Sequence, residues 1–516
     1  MMNLIVCCDG TWNTPDAVED GLPSPTNVVK LYNALALTDD TGAEQKFYYH
    51  PGVGTDGSWI DRALGGGTGK GLDRNIMSGY HWLARNYREG DAIWLFGFSR
   101  GAYTVRSLGG MISKCGLLDL PGSKIAENNV WDEIGQIFDA YRADDPSPFV
   151  DSKGRRFHNT ADGAHPAKMT PVHFIGVWDT VGALGIPDDL ALLNLLDNPE
   201  KHRFHDTQLG PAVQNARHAV ALDEFRQSFL PTLWEKPKGW KGSLKQVWFP
   251  GAHGDVGGGY SQSGLSDGAL YWMMQEAQDL GLRFAEGAIN QLDPNPRGLL
   301  HDSVTGLFKA LKTRPRAAPR VSDPPSPDVH ASAVDRHRNP PLAQGRYRPE
   351  KTLPATIDIF ARERWNDTGV YLQEGKTYRF KATGEWTDAS IKCGPGGAKD
   401  GKFQAAEIAH IASSAWGGVE TLWKKLTGNK QLDFWWTRRE EKMDWFCLVG
   451  LIANNVPPPR TDEDQKIERL PHEVFRIGEG VTLKPEGSGY LYCFANDAWQ
   501  AYDNNRGSVR LTISEV

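Results

Sequence analysis

A serine flanked by glycines is the feature of this sequence that most clearly could do chemistry. The segment Gly97-Phe-Ser-Arg-Gly101 follows an apolar run, and a helical pattern continues from Arg100. A strand-to-helix turn this tight needs both glycines, because side chains there would collide with neighbouring backbone. The turn projects the Ser99 hydroxyl beyond the sheet and points the N–H of Arg100 toward the oxygen that becomes negative in acyl transfer. The pattern predicts a nucleophilic serine.

The partners that such a serine needs follow at the ends of two later apolar runs. Asp179 comes directly after Val172–Trp178, and His253 lies in the loop after Val247–Phe249. The chain order Ser99, Asp179, His253 is that of α/β-hydrolases. His253 would take the serine proton, and Asp179 would hold the imidazole tautomer and stabilise the imidazolium.

Two further assignments around these residues have alternatives. Asp255 is a rival acid, although its closeness to His253 in sequence favours a role in bracing the loop. The first strand ends in Asp9-Gly-Thr-Trp-Asn13, so the backbone N–H groups of Gly10 or Thr11 are candidates for a second oxyanion donor. A tight Asx-turn that closes the strand is the alternative, and both can hold together.

The elements that would position these residues alternate between short buried strands and helices. Such alternation predicts a mainly parallel sheet covered on both faces, in a doubly wound α/β domain. The predicted strands are Leu4–Cys8, Phe47–His50, Ile93–Phe96, Val172–Trp178 and Val247–Phe249, and the predicted helices are Gly71–Tyr87 and Arg100–Cys115. Two arginines nine residues apart, Arg217 and Arg226, are expected to form salt bridges.

The pattern of predicted secondary structure changes after a proline-rich stretch. Thr313–Pro341 predicts a loop or an extended strap, which puts the boundary between domains 1–350 and 351–516 near Lys351. Beyond it, short strands bounded by Gly, Asn and Asp predict an antiparallel β-sandwich. These strands are Tyr371–Phe380, Ala382–Trp386, Tyr490–Phe494 and Ser508–Ile513.

Two apolar stretches could meet lipid. Asp189–Leu196 would either cap the pocket as a lid or form an ordinary core helix. Ile408–Trp423 has apolar residues at helical spacing, so it would be a helical insertion that packs on the sandwich or touches a membrane surface.

Composition excludes several classes of protein. The 516 residues carry 57 Lys and Arg against 64 Asp and Glu, a formal net charge of −7, which argues against a nucleic-acid-binding face. No apolar run is long enough for a transmembrane helix. The start, MMNLIVCCDG, lacks the basic segment of a secretory signal, so we expect synthesis in the cytoplasm without a signal peptide. The 6 cysteines contain no CxxC pair and predict reduced, buried thiols.

Several motifs together resemble a known family. They are Asp9-Gly-Thr-Trp-Asn, Gly52-Val-Gly-Thr-Asp, Gly69-Lys-Gly-Leu-Asp, Gly97-Phe-Ser-Arg-Gly-Ala-Tyr, Val177-Trp-Asp-Thr-Val-Gly and His253-Gly-Asp-Val-Gly-Gly-Gly-Tyr. Over roughly residues 3–350 the chain resembles the α/β-hydrolase domain of type VI lipase effectors of the first family. The resemblance implies Ser99, Asp179 and His253 as the triad and phospholipase activity on membrane glycerophospholipids. It also implies type VI secretion components as partners and export to the periplasm of a target cell.

The tail resembles a second family. Leu491-Tyr-Cys-Phe-Ala-Asn-Asp-Ala-Trp-Gln-Ala-Tyr-Asp-Asn-Asn-Arg-Gly-Ser is similar to the calcium and sugar loop of the galactophilic lectin of the PA-I type. Asp497, Asn504 and Asn505 would supply side-chain oxygens to calcium, and Ala501 a carbonyl. The spacing near Asp388 departs from the lectin pattern by about one residue, and a hairpin without metal is the alternative.

These observations predict a serine esterase or lipase that needs no cofactor for its chemistry and carries a lectin-like domain. A phospholipid or another ester would be its substrate, with peripheral membrane contact and a carbohydrate as further partners. The alternatives are a carbohydrate-binding surface protein with a silent hydrolase scaffold, a sugar-ester hydrolase, or a peptidase with the same triad.

Overall fold

The computed structural model describes residues 2–10, 15–52, 70–143, 155–158, 170–182, 208–398, 439–454, 471–499 and 501–516. Thr11, the lid candidate Asp189–Leu196 and the predicted helix Ile408–Trp423 lie outside these residues. Within the described part of the chain, no helix is both long and apolar enough to span a membrane. All six cysteines are free thiols; five are buried, whereas Cys393, which the sequence predicts to be buried as well, is half-buried.

A six-stranded parallel sheet forms the centre of the first half of the chain. Its strand order is β4-β1-β5-β6-β7-β8, and each neighbouring pair runs parallel. A two-stranded hairpin, β2 with β3, lies outside it. The strands are β1 (Asn3–Cys8), β2 (Val18–Glu19), β3 (Leu22–Pro23), β4 (Gln45–His50), β5 (Ala92–Phe98), β6 (Val172–Trp178), β7 (Val213–Ala221) and β8 (Ser243–Phe249). The predicted parallel α/β arrangement is confirmed.

Helices cover both faces of this sheet. They are α1 (Asn27–Ala34), α2 (Lys70–Asn86), α3 (Arg100–Cys115), α4 (Val130–Ala143), α5 (His253–Gly257), α6 (Gly264–Gln278) and α7 (Ala331–Arg338). Alternate residues of β1 face opposite sides, as a strand requires. Leu4 and Val6 pack with α2, α3 and α4, whereas Ile5 and Cys7 pack with α1 and α6.

Of the six strands in the parallel sheet, β7, which lies next to the edge strand β8, is the one that the sequence did not predict. Its sequence, VQNARHAVA, has polar residues where a buried parallel strand usually has apolar ones. Arg217 and His218 are nevertheless buried, because Arg217 pairs with Glu276 at 2.6 Å and the imidazole of His218 accepts the backbone N–H of Thr180. Hydrophobic patterning does not predict β7, because its buried polar residues are satisfied by partners that are distant in sequence.

The second half of the chain contains two antiparallel sheets around one shared core. One sheet has the order β10-β16-β13-β14, and the other the order β12-β11-β17-β9 with β15 paired to β11. The core draws on both, for example Phe380 and Val509 from one and Ile452 and Leu491 from the other. The strands are β9 (Ala355–Phe360), β10 (Asn366–Leu372), β11 (Tyr378–Asp388), β12 (Ile391–Cys393), β13 (Leu448–Asn454), β14 (Glu473–Arg476), β15 (Gly480–Leu483), β16 (Gly489–Ala495) and β17 (Asn505–Glu515).

Two details of the chain beyond the parallel sheet differ from the sequence-based prediction. The single strand predicted at Tyr371–Phe380 is two strands, because β10 ends at Leu372 and β11 begins at Tyr378. The turn between them contains Gly375, whose φ is +82°, a left-handed conformation that favours glycine. The predicted strap Thr313–Pro341 is not wholly extended either, since it contains α7.

The chain divides into two compact units. The first comprises the described residues of Met1–Thr305 and Pro327–Tyr347, and the second those of Gly306–Ser326, Arg348–Pro458 and Lys466–Val516. The proline-rich stretch is thus shared between them. In the second unit, the N–H of Val321 donates to Tyr490 Oη at 3.1 Å, and Arg320 pairs with Glu350.

The contact between α3 and β1 gives the first testable prediction. A Cβ at Gly101 would lie 2.1 Å from the carbonyl oxygen of Cys8, which is backbone and cannot rotate away. Gly101→Ala should therefore push α3 from β1 and lower the free energy of unfolding by about 1–3 kcal/mol or more. Gly135→Ala in α4 is the matched control: nothing lies within 4 Å of its added Cβ, so it should be neutral or stabilising. Equal thermal stability of both variants would contradict the close contact.

Candidate active site

Ser99 lies in the turn between β5 and α3 in a backbone conformation that is rare for a residue with a side chain. Its φ is 57° and its ψ is −121°, and its N–H donates to the carbonyl of Trp178 at 3.1 Å. Gly97 permits this turn, because a Cβ there would lie 2.5 Å from the carbonyl oxygen of Gly101. Such strain persists only where the surroundings enforce it, and it is typical of functional positions.

Asp179 and His253 form a buried pair beyond the carboxyl ends of two parallel strands, β6 and β8. The Nδ1 atom of His253 lies 2.6 Å from Oδ2 of Asp179, and the two residues are 6% and 0% exposed. The other carboxylate oxygen of Asp179 accepts the N–H of Ala221 at 2.9 Å. The carboxylate thus orients the imidazole so that Nε2 is the nitrogen left for proton transfer.

The backbone around Asp179 is held by partners from β7. Asp179 has a positive φ of 38°, and its N–H donates to the carbonyl of Ala219 at 2.8 Å. The next N–H, that of Thr180, donates to Nε2 of His218 at 3.1 Å. A nitrogen that accepts this bond carries no proton, so the bond selects the Nδ1–H tautomer of His218. Neither contact was visible in the sequence, because β7 was not predicted.

The aromatic residue that precedes Ser99 joins the turn to the histidine. The ring of Phe98 packs against the imidazole of His253 with 4.6 Å between ring centroids, and Phe229 meets it edge-on at 4.9 Å. A Cβ at Gly257 would lie 1.9 Å from the Phe98 ring, which explains a glycine at that position of α5. Phe98 thus connects the strand that ends before Ser99 with the buried His253–Asp179 pair.

Burial and nearby charges act in opposite directions on His253. Burial is the larger effect and lowers the pKa of the imidazole below its ordinary value, and the positive charge of Arg226 lowers it further. The hydrogen bond and charge of Asp179, and the charge of Glu224, raise it. With a lowered pKa the imidazole is neutral at pH 7, which is the form that can accept a proton.

Asp255, the rival acid, is engaged elsewhere. Its Oδ1 lies 2.6 Å from Nδ1 of His301, and its Oδ2 accepts the N–H of Ala252 at 2.9 Å. The ring of His301 in turn stacks on Tyr260, with 3.8 Å between centroids. These contacts agree with the expected role of Asp255 in bracing the loop that carries His253.

The oxyanion candidates differ in what surrounds them. Arg100 is the first residue of α3, where N–H groups lack helical acceptors. The N–H of Gly10 donates to Oδ1 of Asp9 at 2.7 Å, which is the turn considered as the alternative. Oδ2 of Asp9 accepts the hydroxyls of Thr26 and Tyr49. The roles of Arg100, Gly10 and Thr11 stay predictions.

The calcium candidate in the second unit gathers side chains from two strands and one loop. Asp497 and Asn505 are wholly buried, and Nδ2 of Asn505 donates to Oδ2 of Asp497 at 2.8 Å. The Oδ1 atoms of Asp388, Asn504 and Asn505 are buried without a hydrogen-bond partner. Burial, and then the negative charge of Asp497, raise the pKa of the Asp388 carboxyl to about 7.

This oxygen-rich cluster fits a hard cation. Buried polar atoms normally have partners, and a calcium ion would satisfy these three oxygens, one from the Asp388 carboxylate and two from amides, next to the carboxylate of Asp497. Asp388, which the sequence analysis noted only for its spacing, belongs to the cluster. Among the described residues no group of three or more His, Cys, Asp or Glu side chains could hold a metal, and this cluster instead combines two acids with two amides.

Three of the solved structures that are similar to this chain illustrate the range, and all three have low sequence identity to it. A crystal structure of an uncharacterized protein from Pseudomonas aeruginosa is 17% identical over 58% of this chain and 49% of its own, with a TM-score of 0.33. The N-terminal domain of EclA, a PllA-like lectin, is 14% identical over 31% of this chain and 95% of its own, with a TM-score of 0.19. The Tle1 effector bound to the VgrG spike of the type VI secretion system is 20% identical over 50% of this chain and 51% of its own, with a TM-score of 0.27.

Comparison of sequences was more specific. The chain is 32% identical over 244 residues to the uncharacterized protein YEL023C of Saccharomyces cerevisiae, which covers 44% of this chain. The chain spans only 32% of the length of that relative. The family model of the catalytic domain of Tle1-like phospholipase effectors of type VI secretion systems matches residues 2–276, which contain Ser99, Asp179 and His253. The chain therefore belongs to the family of Tle1-like phospholipase effectors.

Proposed function

We propose that this protein is a serine carboxylic ester hydrolase that cleaves membrane glycerophospholipids through an acyl-enzyme on Ser99. The observation that carries the proposal is the buried pair in which Nδ1 of His253 lies 2.6 Å from Oδ2 of Asp179. This pair lies on the side of the sheet where the carboxyl ends of the strands and the strained Ser99 turn are found. Membership of a phospholipase family supports the lipid substrate. The structural pair supports the mechanism, because an acid-oriented imidazole beside a strained serine is the arrangement that nucleophilic acyl transfer requires.

In the proposed reaction, His253 Nε2 removes the Ser99 proton as Oγ bonds to the ester carbonyl carbon. The carbonyl oxygen becomes negative and is stabilised by the N–H of Arg100 and by a second donor from Gly10 or Thr11. The imidazolium then gives its proton to the leaving alcohol, and the ester C–O bond breaks. Water, deprotonated by the same imidazole, attacks the acyl-enzyme carbonyl carbon. The imidazolium then returns this proton to Oγ of Ser99 as the acyl C–O bond breaks, which releases the fatty acid.

Asp179 would act by orientation and charge. Its carboxylate holds Nδ1–H of His253 and stabilises the imidazolium that forms in each half-reaction. A silent scaffold that only displays a sugar-binding domain is less well supported, because the buried acid–histidine pair and the strained turn have no purpose in it. A sugar-ester hydrolase would use the same residues and differs only in substrate.

The comparisons also support a route of export and a partner. The Tle1 effector was solved bound to the VgrG spike, and this chain shares its family. We propose that this protein is likewise delivered by a type VI secretion system and meets lipid in the target cell, where peripheral membrane contact would present the ester.

For the second unit we propose a calcium ion held by Asp497, Asn504, Asn505 and the Ala501 carbonyl, with no part in the chemistry. The orphan oxygens of Asp388, Asn504 and Asn505 support it. A lectin-like role, in which this unit directs the enzyme to a sugar-bearing surface, depends on that ion and is proposed with it.

Replacement of the nucleophile is the direct test of the reaction. Ser99→Ala should lose on the order of 10³-fold or more of kcat, because no acyl-enzyme can form and only the oxyanion donors remain. Stability should change by less than about 1 kcal/mol, since the change opens no cavity. Hydrolysis of phospholipid and ester panels, followed by mass spectrometry, measures the loss and identifies the substrate. Asp255→Asn is the comparison: if it abolished activity while Ser99→Ala kept a tenth, a water-activating site around His253 and Asp255 would replace the acyl-enzyme.

The state of His253 predicts how activity depends on pH. Because its pKa is lowered by burial, kcat/KM should fall on the acid side only below the ordinary histidine range. Asp179→Asn removes a hydrogen bond and a charge that raise this pKa, so the residual activity should be lower and its acid limb should move to lower pH. An acid limb that moves upward in Asp179→Asn would contradict the pairing.

Calorimetry with and without a chelator tests the metal. Calcium should raise the melting temperature of the second unit by mass action, and Asp497→Ala should remove this dependence. Asp503→Asn is the matched control, since Asp503 is an exposed acid in the same loop and should keep the calcium dependence. Identical transitions of the wild-type protein with calcium and with chelator would remove the metal site.

A further inference from the structure

Glu224 is a buried carboxylate beside the candidate active site that the reaction above does not use. It is 1% exposed and lies in the loop that follows β7. A carboxylate taken this far out of water is stable only when donors surround it, because its desolvation is costly. Its donors therefore indicate why the protein keeps it there.

Among the residues that the structure describes, five donors converge on this carboxylate. Oε1 accepts the N–H and Nε of Arg226 at 2.8 and 2.9 Å, and the Ser303 hydroxyl at 2.9 Å. Oε2 accepts Nη2 of Arg226 at 2.8 Å and the backbone N–H of His253 at 3.2 Å. The last of these ties Glu224 to the backbone of the histidine itself.

Arg226 completes a layer on one side of the imidazole. Its guanidinium carbon lies 3.5 Å from the centroid of the Phe229 ring, and Phe229 contacts the His253 ring at 4.9 Å. The Glu224–Arg226 pair thus places one negative and one positive charge near the same histidine. Asp179 is the third charged group that faces it, and it does so from the end of β6.

We propose that Glu224 is a positioning residue for His253: its carboxylate anchors the backbone of the histidine and offsets the charge of Arg226, so that the imidazolium formed during catalysis is tolerated. Arg226 on its own would oppose that imidazolium. Glu224 neutralises this effect and, through the backbone bond, fixes the imidazole between Phe98 and Phe229. This inference rests on the proposed serine mechanism.

The opposite charges of the pair predict opposite effects on pH dependence. Glu224 raises the pKa of His253 and Arg226 lowers it. Glu224→Gln should therefore move the acid limb of kcat/KM to lower pH, and Arg226→Gln should move it to higher pH. A purely structural role would lower the rate without moving the limb, or would move it in one direction for both variants.

The experiment measures kcat/KM on a short soluble ester across pH for the full-length protein and four variants. Glu224→Gln should also lose roughly 3- to 30-fold in kcat, less than Ser99→Ala, because the base survives in a poorer position. Glu224→Asp keeps the charge and shortens the reach, so its acid limb should stay at the wild-type pH while kcat falls. Glu276→Gln is the matched control. It removes a carboxylate of α6 that pairs with Arg217 of β7 and Lys245 of β8, and it should leave the acid limb of kcat/KM at the wild-type pH.

An NMR titration of the His253 ring, carried out on the same proteins, separates the two proposals. If the wild-type protein hydrolyses no ester, the proposed function fails. The pKa of His253 should still move in opposite directions in Glu224→Gln and Arg226→Gln, so the titration still tests the role of Glu224. If Glu224→Gln does not fold, the upward shift in Arg226→Gln carries the test. An active wild-type enzyme whose acid limb is unchanged in both Glu224→Gln and Arg226→Gln would overturn the role assigned to Glu224.

Discussion

The close approach of the Ser99 turn to the end of the first strand is the constraint on which the rest of the site depends. Backbone atoms of α3 and β1 lie so near each other that a Cβ at Gly101 would be 2.1 Å from the Cys8 carbonyl oxygen. This approach brings the first turn of α3, with its N–H groups, against the loop that begins at Asp9. Ser99 takes a positive φ in the turn that connects β5 to α3. The buried packing on both sides of the sheet stabilises this strained conformation.

From that edge outward, the site is built by loops that hold one another. The loop after β7 and the loop after β8 are joined by hydrogen bonds between Asp223 and Gly251, in which each N–H donates to the other residue. Glu224 continues the same connection to His253, and Asp255 extends it to His301. The histidine therefore does not rest on one short helix alone. Its position is determined by buried carboxylates whose donors come from several segments of the first unit.

The second unit also buries polar side chains next to an apolar core. Its core is an apolar sandwich, yet one end gathers acid and amide oxygens around Asp497. Beside them, Arg439 is enclosed by the rings of Trp365, Phe494 and Trp499, with its guanidinium carbon 4.1, 3.5 and 4.3 Å from their centroids. The N–H of Arg439 donates to the carbonyl of Asp497 at 3.1 Å, so the cation–π cluster and the candidate metal loop are parts of one local structure.

Sequence reasoning succeeded where the information is local. Apolar runs of β-branched and aromatic residues predicted five of the strands in the parallel sheet, and the glycine spacing around Ser99 predicted a strand-to-helix turn whose steric reason the structure bears out. The sequence placed Asp179 and His253 after two apolar runs, and in the structure these runs are parallel strands whose carboxyl ends lie on one side of the sheet. The salt bridges expected of Arg217 and Arg226 are also present, with Glu276 and Glu224 as partners.

By itself, then, the sequence determined the parallel architecture, the serine turn and the order of the candidate triad, since each can be read from short apolar runs, from glycine spacing and from the residues that directly follow each run. Only the tertiary structure decided which distant groups satisfy the buried polar ones. β7 escaped prediction because Arg217 and His218 are polar, and their burial becomes favourable only through Glu276 and the N–H of Thr180. The assignment of Asp255 to His301, and of Glu224 to His253, likewise depends on contacts between residues 29 or more positions apart, which no local pattern encodes.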